Sequence, residues 1–222
     1  EIVFEFPELQ GIMGGKYLKN EGFSEDICLA VAEHYLPSFY KDALPSTKYG
    51  AIVSIADKIE TLISIFISGK RPSGSSDPYA LRRNLNGVIK IIWDYEFDLK
   101  LDNLFNELID FWKIKFPKLN FLREKVSNDL NEFLVQRTVS HLEEISLGKD
   151  LIKAVCSFDV FPSKRILNIV DLKNRINAIV EFKEKETFVE IQKVITRVSK
   201  LANSSNLSTD VLSTRDYVNT KL

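Results

Sequence analysis

Apolar residues recur at the spacing of an α-helix over most of this 222-residue chain, and this periodicity constrains its fold more than any other feature. The spacing is clearest after Asp77-Pro78, where five apolar residues follow one another at helical intervals: Leu81, Leu85, Val88, Ile89 and Ile92. All five side chains fall on one face of a helix. Asp77 has the form of an N-cap and Pro78 that of a first helical residue, so we expect the helix to begin there.

The same periodicity in other segments predicts an all-α fold. The residues expected to face inward are Ile27, Ala30, Val31 and His34, then Ile52, Ile55, Ala56, Ile59, Ile63 and Phe66, and then Leu101, Leu104, Phe105, Leu108, Ile109 and Trp112. Amphipathic stretches also cover 119–142 and 167–201, and no pattern typical of a β-hairpin occurs. Pro162 and the serines around it interrupt the pattern at 157–163, which predicts a boundary between two units.

Charge and cysteine content limit the classes of function. The chain has 30 Lys and Arg against 31 Asp and Glu, so nucleic-acid binding would require a local basic patch. Cys28 and Cys156 lack the spacing of a zinc site or a disulfide framework, which favours a reducing compartment, and we expect the cytoplasm. No apolar run approaches the roughly 18 to 20 residues of a membrane span, so we expect no membrane partner.

Four short strings occur in a fixed order within the first 90 residues. They are Glu5-Phe-Pro-Glu-Leu-Gln-Gly-Ile-Met-Gly14, Glu33-His-Tyr-Leu-Pro37, Ala56-Asp-Lys-Ile-Glu-Thr-Leu62 and Asp77-Pro-Tyr-Ala-Leu-Arg-Arg83. In content, order and spacing they resemble the bacterial-type glycyl-tRNA synthetase β subunit, in the part of it that is similar to an HD-type helical domain. The resemblance continues at lower specificity through residues 135–163, 171–179 and 197–203.

This resemblance implies that the chain is part of a longer subunit. It implies an HD-domain-like helical bundle over 1–98, a connecting helical region over 99–160 and the beginning of a helical anticodon-binding domain over 161–222. The implied partners are tRNA(Gly) and a glycyl-tRNA synthetase α subunit in an α2β2-type assembly, with no DNA partner. The α subunit would use ATP to activate glycine, so no cofactor is expected in this chain.

His34 and Asp57 carry the candidate metal chemistry. HD-type phosphohydrolases bind a divalent metal through an early His, a His-Asp dipeptide and a later Asp in an Ala-Asp string, and His34 and Ala56-Asp57 resemble two of these elements. Residues 4–10, where the dipeptide would lie, contain no histidine, and His141 is remote. Two ligands are too few for a catalytic metal. We therefore expect no metal and no catalytic residue, and we predict a structural hydrogen bond between His34 and Asp57.

Lys70, Arg71, Arg82 and Arg83 form the second candidate site. They flank a loop and the start of the next helix, where guanidinium groups and free backbone N–H groups can bind RNA phosphates. The charges alone fit equally well with solvated side chains or with ion pairs to carboxylates such as Asp77. The resemblance favours RNA contact. A metal-dependent HD-type phosphohydrolase acting on a nucleotide or RNA phosphate is one alternative, and a module that only docks subunits is another.

Overall fold

A computed structural model describes residues 5–6, 9–74, 76–156, 168–185 and 187–204 of the chain. The helices in these ranges are α1 (Ile12–Asn20), α2 (Glu25–Glu33), α3 (Lys48–Ile67), α4 (Leu81–Tyr95), α5 (Leu101–Lys115), α6 (Arg123–Glu144), α7 (Lys149–Cys156), α8 (Ile169–Lys183) and α9 (Phe188–Ser204). The described ranges contain no β-strand, only two isolated bridges, Ser73 with Ser76 and Lys100 with Asn168. The predicted all-α fold is confirmed.

The chain divides into two compact units, Glu1–Ile176 and Asn177–Leu222. The predicted interruption at 157–163 and the predicted domain boundary at 160 lie outside the described residues, and the division at 98, 160 and 222 stays a prediction. In the second unit, several large aliphatic side chains of α9 are exposed: Val189, Ile191, Val194, Ile195 and Val198.

Helices α3, α4, α5 and α6 build the core of the first unit. Its largest fully buried side chains are Phe66, Phe105, Ile59, Leu62, Ile63, Leu81, Leu85, Ile89, Ile91, Ile92, Leu101 and Ile109. The predicted stripe of α4 is confirmed, because all five of its residues are at most 1% exposed. Each such aliphatic side chain contributes about 1.5–3 kcal/mol when it leaves water, so this stripe fixes α4 against its neighbours.

The inward faces of α2 and α3 differ from the prediction. Ile27 on α2 and Ile52 on α3 are 46% and 55% exposed, and Ala56 is exposed as well. The inward face of α3 instead includes two polar residues, Ser54 and Lys58, which are buried together with the expected Ile55, Ile59, Ile63 and Phe66. The periodicity identified the helix but placed part of its face wrongly, because these polar side chains turn inward to reach backbone carbonyl groups.

Helix α4 begins at Leu81, three residues after the predicted first position at Pro78. Ala80 has a φ of 55°, a left-handed conformation that interrupts any helix starting at Pro78. Asp77 still caps α4, because its two carboxylate oxygens accept from the backbone N–H groups of Leu81 (2.8 Å) and Arg82 (2.9 Å). The expected cap therefore forms, through a longer turn.

The ammonium group of Lys58 holds the chain that leaves α2. Lys58 is 3% exposed, and its Nζ lies 2.9–3.1 Å from four acceptors: the carbonyl oxygens of His34, Tyr35 and Leu36, and Oγ of Ser54. The three carbonyl groups follow the last residue of α2, where helix carbonyls lack partners and carry partial negative charge. Lys58 therefore ties α3 to the C-terminal end of α2.

Further contacts fix the rest of the connection between α2 and α3, residues 34–47. Nζ of Lys90 on α4 donates to the carbonyl oxygens of Tyr40 (2.9 Å) and Asp42 (2.8 Å). The Glu33 carboxylate accepts from the backbone N–H of Ser46 (2.6 Å) and from its hydroxyl (2.9 Å). These bonds anchor the connection at both ends and in the middle, so its side chains are held in fixed positions.

The buried amine of Lys58 predicts a pH-dependent stability. Burial lowers the pKa of Lys58 to about 8, and the neighbouring Asp57 opposes this shift. Between this value and the ordinary lysine pKa the unfolded chain binds more protons than the folded chain, so stability due to this group rises with pH. From pH 8 to 10, the free energy of unfolding of wild type relative to Lys58→Met should rise by roughly 2 kcal/mol in urea titrations. A constant difference would contradict the placement of this amine.

Gly87 on α4 lies against the side chain of Lys58 and the backbone of Pro37. A Cβ atom at this position would lie 3.0 Å from Cε of Lys58 and 3.2 Å from the Pro37 carbonyl oxygen. Gly87→Ala should therefore lower the free energy of unfolding by about 1–3 kcal/mol, although alanine favours a helix. In a Lys58→Ala background, where Cε is absent, the same replacement should cost less. Equal costs in both backgrounds, measured by urea denaturation, would contradict the contact.

Candidate functional site

His34 and Asp57 do not form the predicted hydrogen bond. Nδ1 of His34 lies 2.7 Å from the carbonyl oxygen of Val31, one turn back along the chain, and the ring packs against Tyr35 with centroids 4.0 Å apart. Asp57 is exposed on α3, and its carboxylate has no hydrogen-bond partner among the described residues. The link between the two helices comes from Lys58, next to Asp57, so the prediction named the right segments and the wrong side chains.

Among the described residues, potential metal ligands do not converge around His34. Across the residues that the structure describes, no three His, Cys, Asp or Glu side chains come close enough together to hold a metal ion. His141 lies elsewhere in the fold, 3% exposed, with its ring 5.3 Å from that of Trp93. Burial and the nearby charge of Lys90 lower the pKa of His141 to about 4, so this imidazole is neutral at pH 7.

None of the helices in the described ranges is both long and apolar enough to cross a bilayer.

Arg71, one of the four predicted phosphate ligands, is engaged within the fold. Its Nη2 and Nε lie 2.5 Å and 3.0 Å from Oδ2 of Asp129 on α6, and Nη1 donates to the Phe66 carbonyl oxygen at 2.8 Å. Its guanidinium also lies 4.1 Å from the centroid of the Phe66 ring. All three guanidinium nitrogens have partners, so Arg71 connects the end of α3 to α6.

Lys70 and Arg82 bind the loop between α3 and α4. Nζ of Lys70 donates to the Tyr79 hydroxyl at 2.5 Å and lies 4.8 Å from the centre of that ring. Nη2 of Arg82 donates to the carbonyl oxygen of Gly74 at 2.8 Å. Both side chains are partly open to solvent, and both shape the loop. Ser75, within this loop, lies outside the described residues.

Arg83 differs from the other three cations because its guanidinium group has no acceptor in the part of the chain that the structure describes. It is exposed in the first turn of α4, and among the described residues it forms no hydrogen bond or ion pair. Its one recorded partner is the ring of Phe39, whose centroid lies 5.4 Å from the guanidinium carbon. A guanidinium placed over an aromatic ring is held in position while its N–H groups remain available to an anion.

Arg83 lines an open cleft of about 880 Å³. Five parts of the chain line it. They are the segment at the start of α1 (Gln10, Ile12), the end of α2 (Ala32, Glu33), the 34–47 connection (Tyr35, Phe39), the middle of α3 (Asp57, Thr61) and the first turn of α4 (Arg83, Asn84). Phe39 is 61% exposed and Tyr35 39%, so the cleft presents aromatic surface to solvent. The cleft thus brings one predicted cation together with Asp57, which sequence analysis had assigned to a separate site.

Two residues that matter to this site, Lys58 and Phe39, were not predicted from the sequence. Lys58 lies in the same string as Asp57 and holds the wall of the cleft, and Phe39 orients Arg83. A lysine within an otherwise apolar helical stripe was the available signal for the first. The sequence carried no comparable signal for Phe39, because its role depends on a residue 44 positions later in the chain.

The chain is similar in sequence to tRNA ligase subunits. A family model described as the glycyl-tRNA synthetase beta subunit matches residues 1–157. The chain is 38% identical over 200 residues to the glycine–tRNA ligase beta subunit of Thermodesulfovibrio yellowstonii, and 38% identical over 224 residues to that of Acaryochloris marina. The beta subunit of Trichodesmium erythraeum is 35% identical over 226 residues.

These matches cover nearly all of this chain and a minor part of the relatives. The three alignments include 90%, 100% and 100% of the chain, and 27%, 31% and 31% of the respective relatives. The chain therefore spans less than a third of the length of the curated relatives named here.

Arg71 and Arg83 should differ sharply in their effect on stability. Arg71→Ala removes an ion pair whose two side chains are 28% and 30% exposed, together with a hydrogen bond to the Phe66 carbonyl oxygen, and should lower the free energy of unfolding by about 1–3 kcal/mol. Arg83→Ala removes no hydrogen bond to the described residues and should change the free energy of unfolding by less than about 0.5 kcal/mol. Urea denaturation of the two variants beside wild type makes the comparison. An equal loss of unfolding free energy in the two variants would contradict a structural role for Arg71 alone.

Proposed function

This chain belongs to the glycyl-tRNA synthetase beta subunit family, and we propose that it forms a tRNA-contacting, non-catalytic part of such a subunit. The observation that carries the proposal is the exposed guanidinium of Arg83, which has an aromatic support and no acceptor in the described part of the chain. A phosphate oxygen would supply that acceptor. Lys70 and Arg82 add positive charge at the same end of α4.

In this proposal Arg71 has a supporting role. Its bonds to Asp129 and Phe66 hold the loop that carries Lys70, so it shapes the basic surface without offering a free N–H group to RNA. The predicted set of four phosphate ligands thus becomes one principal ligand, two partly engaged cations and one positioning residue. His34 and Asp57 have no catalytic role in the aminoacylation reaction.

Our proposals for the assembly and location of the whole protein are based on the family. The relatives carry the name of a beta subunit, which implies an alpha subunit as partner, and an α2β2-type complex in the cytoplasm is the arrangement we propose. ATP-dependent glycine activation would take place on the alpha subunit, and this chain would help to present tRNA(Gly). The family match favours this function over a metal-dependent phosphohydrolase.

Salt-dependent tRNA binding tests the role of Arg83. In the full-length subunit assembled with its partner, Arg83→Ala should weaken binding of tRNA(Gly) several-fold at low salt. The slope of log affinity against log salt should become shallower by about 0.7–0.9, because one phosphate contact is lost. The measurement is fluorescence anisotropy of labelled tRNA from 50 to 300 mM salt.

Lys118→Ala is the matched control for this experiment. Lys118 is exposed in the turn between α5 and α6 and has no partner among the residues that the structure describes, so its loss removes the same unit of charge away from the site. It should leave the slope unchanged. If both variants give the wild-type slope while Arg83→Ala disturbs assembly with the alpha subunit, the chain is a docking module and the proposed RNA contact is wrong.

A further inference from the structure

We propose that the cleft between α3, α4 and the 34–47 connection binds a ribonucleoside phosphate that has a free 2′,3′-cis-diol. In this arrangement Arg83 binds the phosphate, Phe39 and Tyr35 contact the base, and Asp57 accepts hydrogen bonds from the diol. The inference deepens the proposed function and rests on it through Arg83, which the two share. Two sources can supply such a group, a free nucleotide or the 3′-terminal nucleotide of an RNA.

The charges that line the cleft point to a ligand with both an anionic group and hydrogen-bond donors. Four charged residues line it, and two of them are already satisfied: Lys58 by backbone carbonyls and Glu33 by Ser46. Arg83 and Asp57 remain, one cation and one anion without hydrogen-bond partners in the described chain. An inorganic anion would be attracted by Arg83 and repelled by Asp57, whereas a nucleotide carries a phosphate for the first and hydroxyl donors for the second.

The diol assignment follows from the chemistry of an ionised carboxylate. Such a group accepts hydrogen bonds and donates none, and adjacent ribose hydroxyls offer two donors at a spacing that one carboxylate can accept together. Asp57 is exposed on α3, one helical turn before Thr61, and both residues line the cleft. A deoxyribonucleotide lacks the 2′-hydroxyl, so this contact selects ribose.

The aromatic wall and the volume fit a base attached to that ribose. Phe39 is 61% exposed and Tyr35 39%, and both line the cleft, so a base in the cleft can reach both aromatic side chains. A volume of about 880 Å³ lies in the range of small-molecule and cofactor sites and leaves room for one nucleotide. Nζ of Lys58 fixes the carbonyl oxygens of Tyr35 and Leu36, and the Asp42 carboxylate accepts from the N–H groups of Ser38 and Phe39, so the wall is preformed.

The first measurement compares nucleotides that differ only in the sugar. Adenosine 5′-monophosphate and its 2′,3′-dideoxy analogue are titrated into the full-length subunit by isothermal calorimetry. We expect the dideoxy analogue to bind at least 5-fold more weakly, the cost of two lost hydrogen bonds to a charged acceptor. Asp57→Asn should reduce this discrimination to less than 2-fold. Glu60→Gln, which removes an exposed carboxylate three residues further along α3, should preserve it.

The second measurement separates the two sources of the ligand. Single-stranded RNA 12-mers that end in a 3′-terminal diol or in a 2′,3′-dideoxy nucleotide are compared in the same subunit. If the RNA end is the ligand, the diol 12-mer binds more tightly, and Asp57→Asn and Phe39→Leu both remove the difference. If a free nucleotide is the ligand, the two 12-mers bind equally and only the mononucleotides discriminate.

The proposal fails if the subunit binds the diol and dideoxy forms equally well, both as mononucleotides and as RNA 12-mers. It also fails if Asp57→Asn has the same effect as Glu60→Gln in both assays. Such a result can occur while Arg83→Ala still flattens the salt dependence of tRNA binding. In that case the proposed tRNA contact stands and only the nucleotide cleft is rejected. If Arg83→Ala keeps the wild-type preference for the diol and the wild-type salt dependence of tRNA binding, the phosphate role of Arg83 is rejected instead.

Discussion

The buried ammonium of Lys58 is the contact on which the candidate site depends. It reaches from α3 to three consecutive carbonyl groups beyond α2 and so sets where residues 34–47 begin. Phe39 belongs to this connection, and Phe39 supports the guanidinium of Arg83. Burying an amine costs free energy, which appears as the lowered pKa of Lys58, and the four hydrogen bonds offset that cost. These four hydrogen bonds also fix the wall of the cleft.

The four cations near the α3–α4 loop show how residues of one charge acquire different roles. Arg71 is surrounded by a carboxylate, a carbonyl group and a ring, so it acts as a structural tie. Lys70 has one neutral acceptor in the same loop and Arg82 has two, which leaves other donors of both side chains open to solvent. Only the fourth, Arg83, has all its N–H donors unused by the described chain. The count of basic residues in a segment is therefore a poor measure of its capacity to bind phosphate.

The sequence predicted those features that depend on neighbours close in the chain. The apolar stripe of α4 and the capping role of Asp77 follow from residues within a few turns, and both are present in the structure. The start of α4 was misplaced by three residues, because the left-handed conformation of Ala80 has no distinctive local signature. Contacts between distant residues were missed: Lys58 with carbonyls 22–24 residues earlier, and Arg71 with Asp129, 58 residues later. Their partners are defined only by the folded chain.

Hydrogen exchange tests most directly whether RNA occupies the surface that Lys58 and Arg83 organise. Backbone amide exchange of the full-length subunit would be followed by mass spectrometry with and without tRNA(Gly), with peptides covering 34–47, 76–84 and 116–122. The account predicts slower exchange on RNA binding in the first two segments and no change in the third. Unchanged exchange in 34–47 and 76–84, together with protection confined to other parts of the subunit, would contradict it.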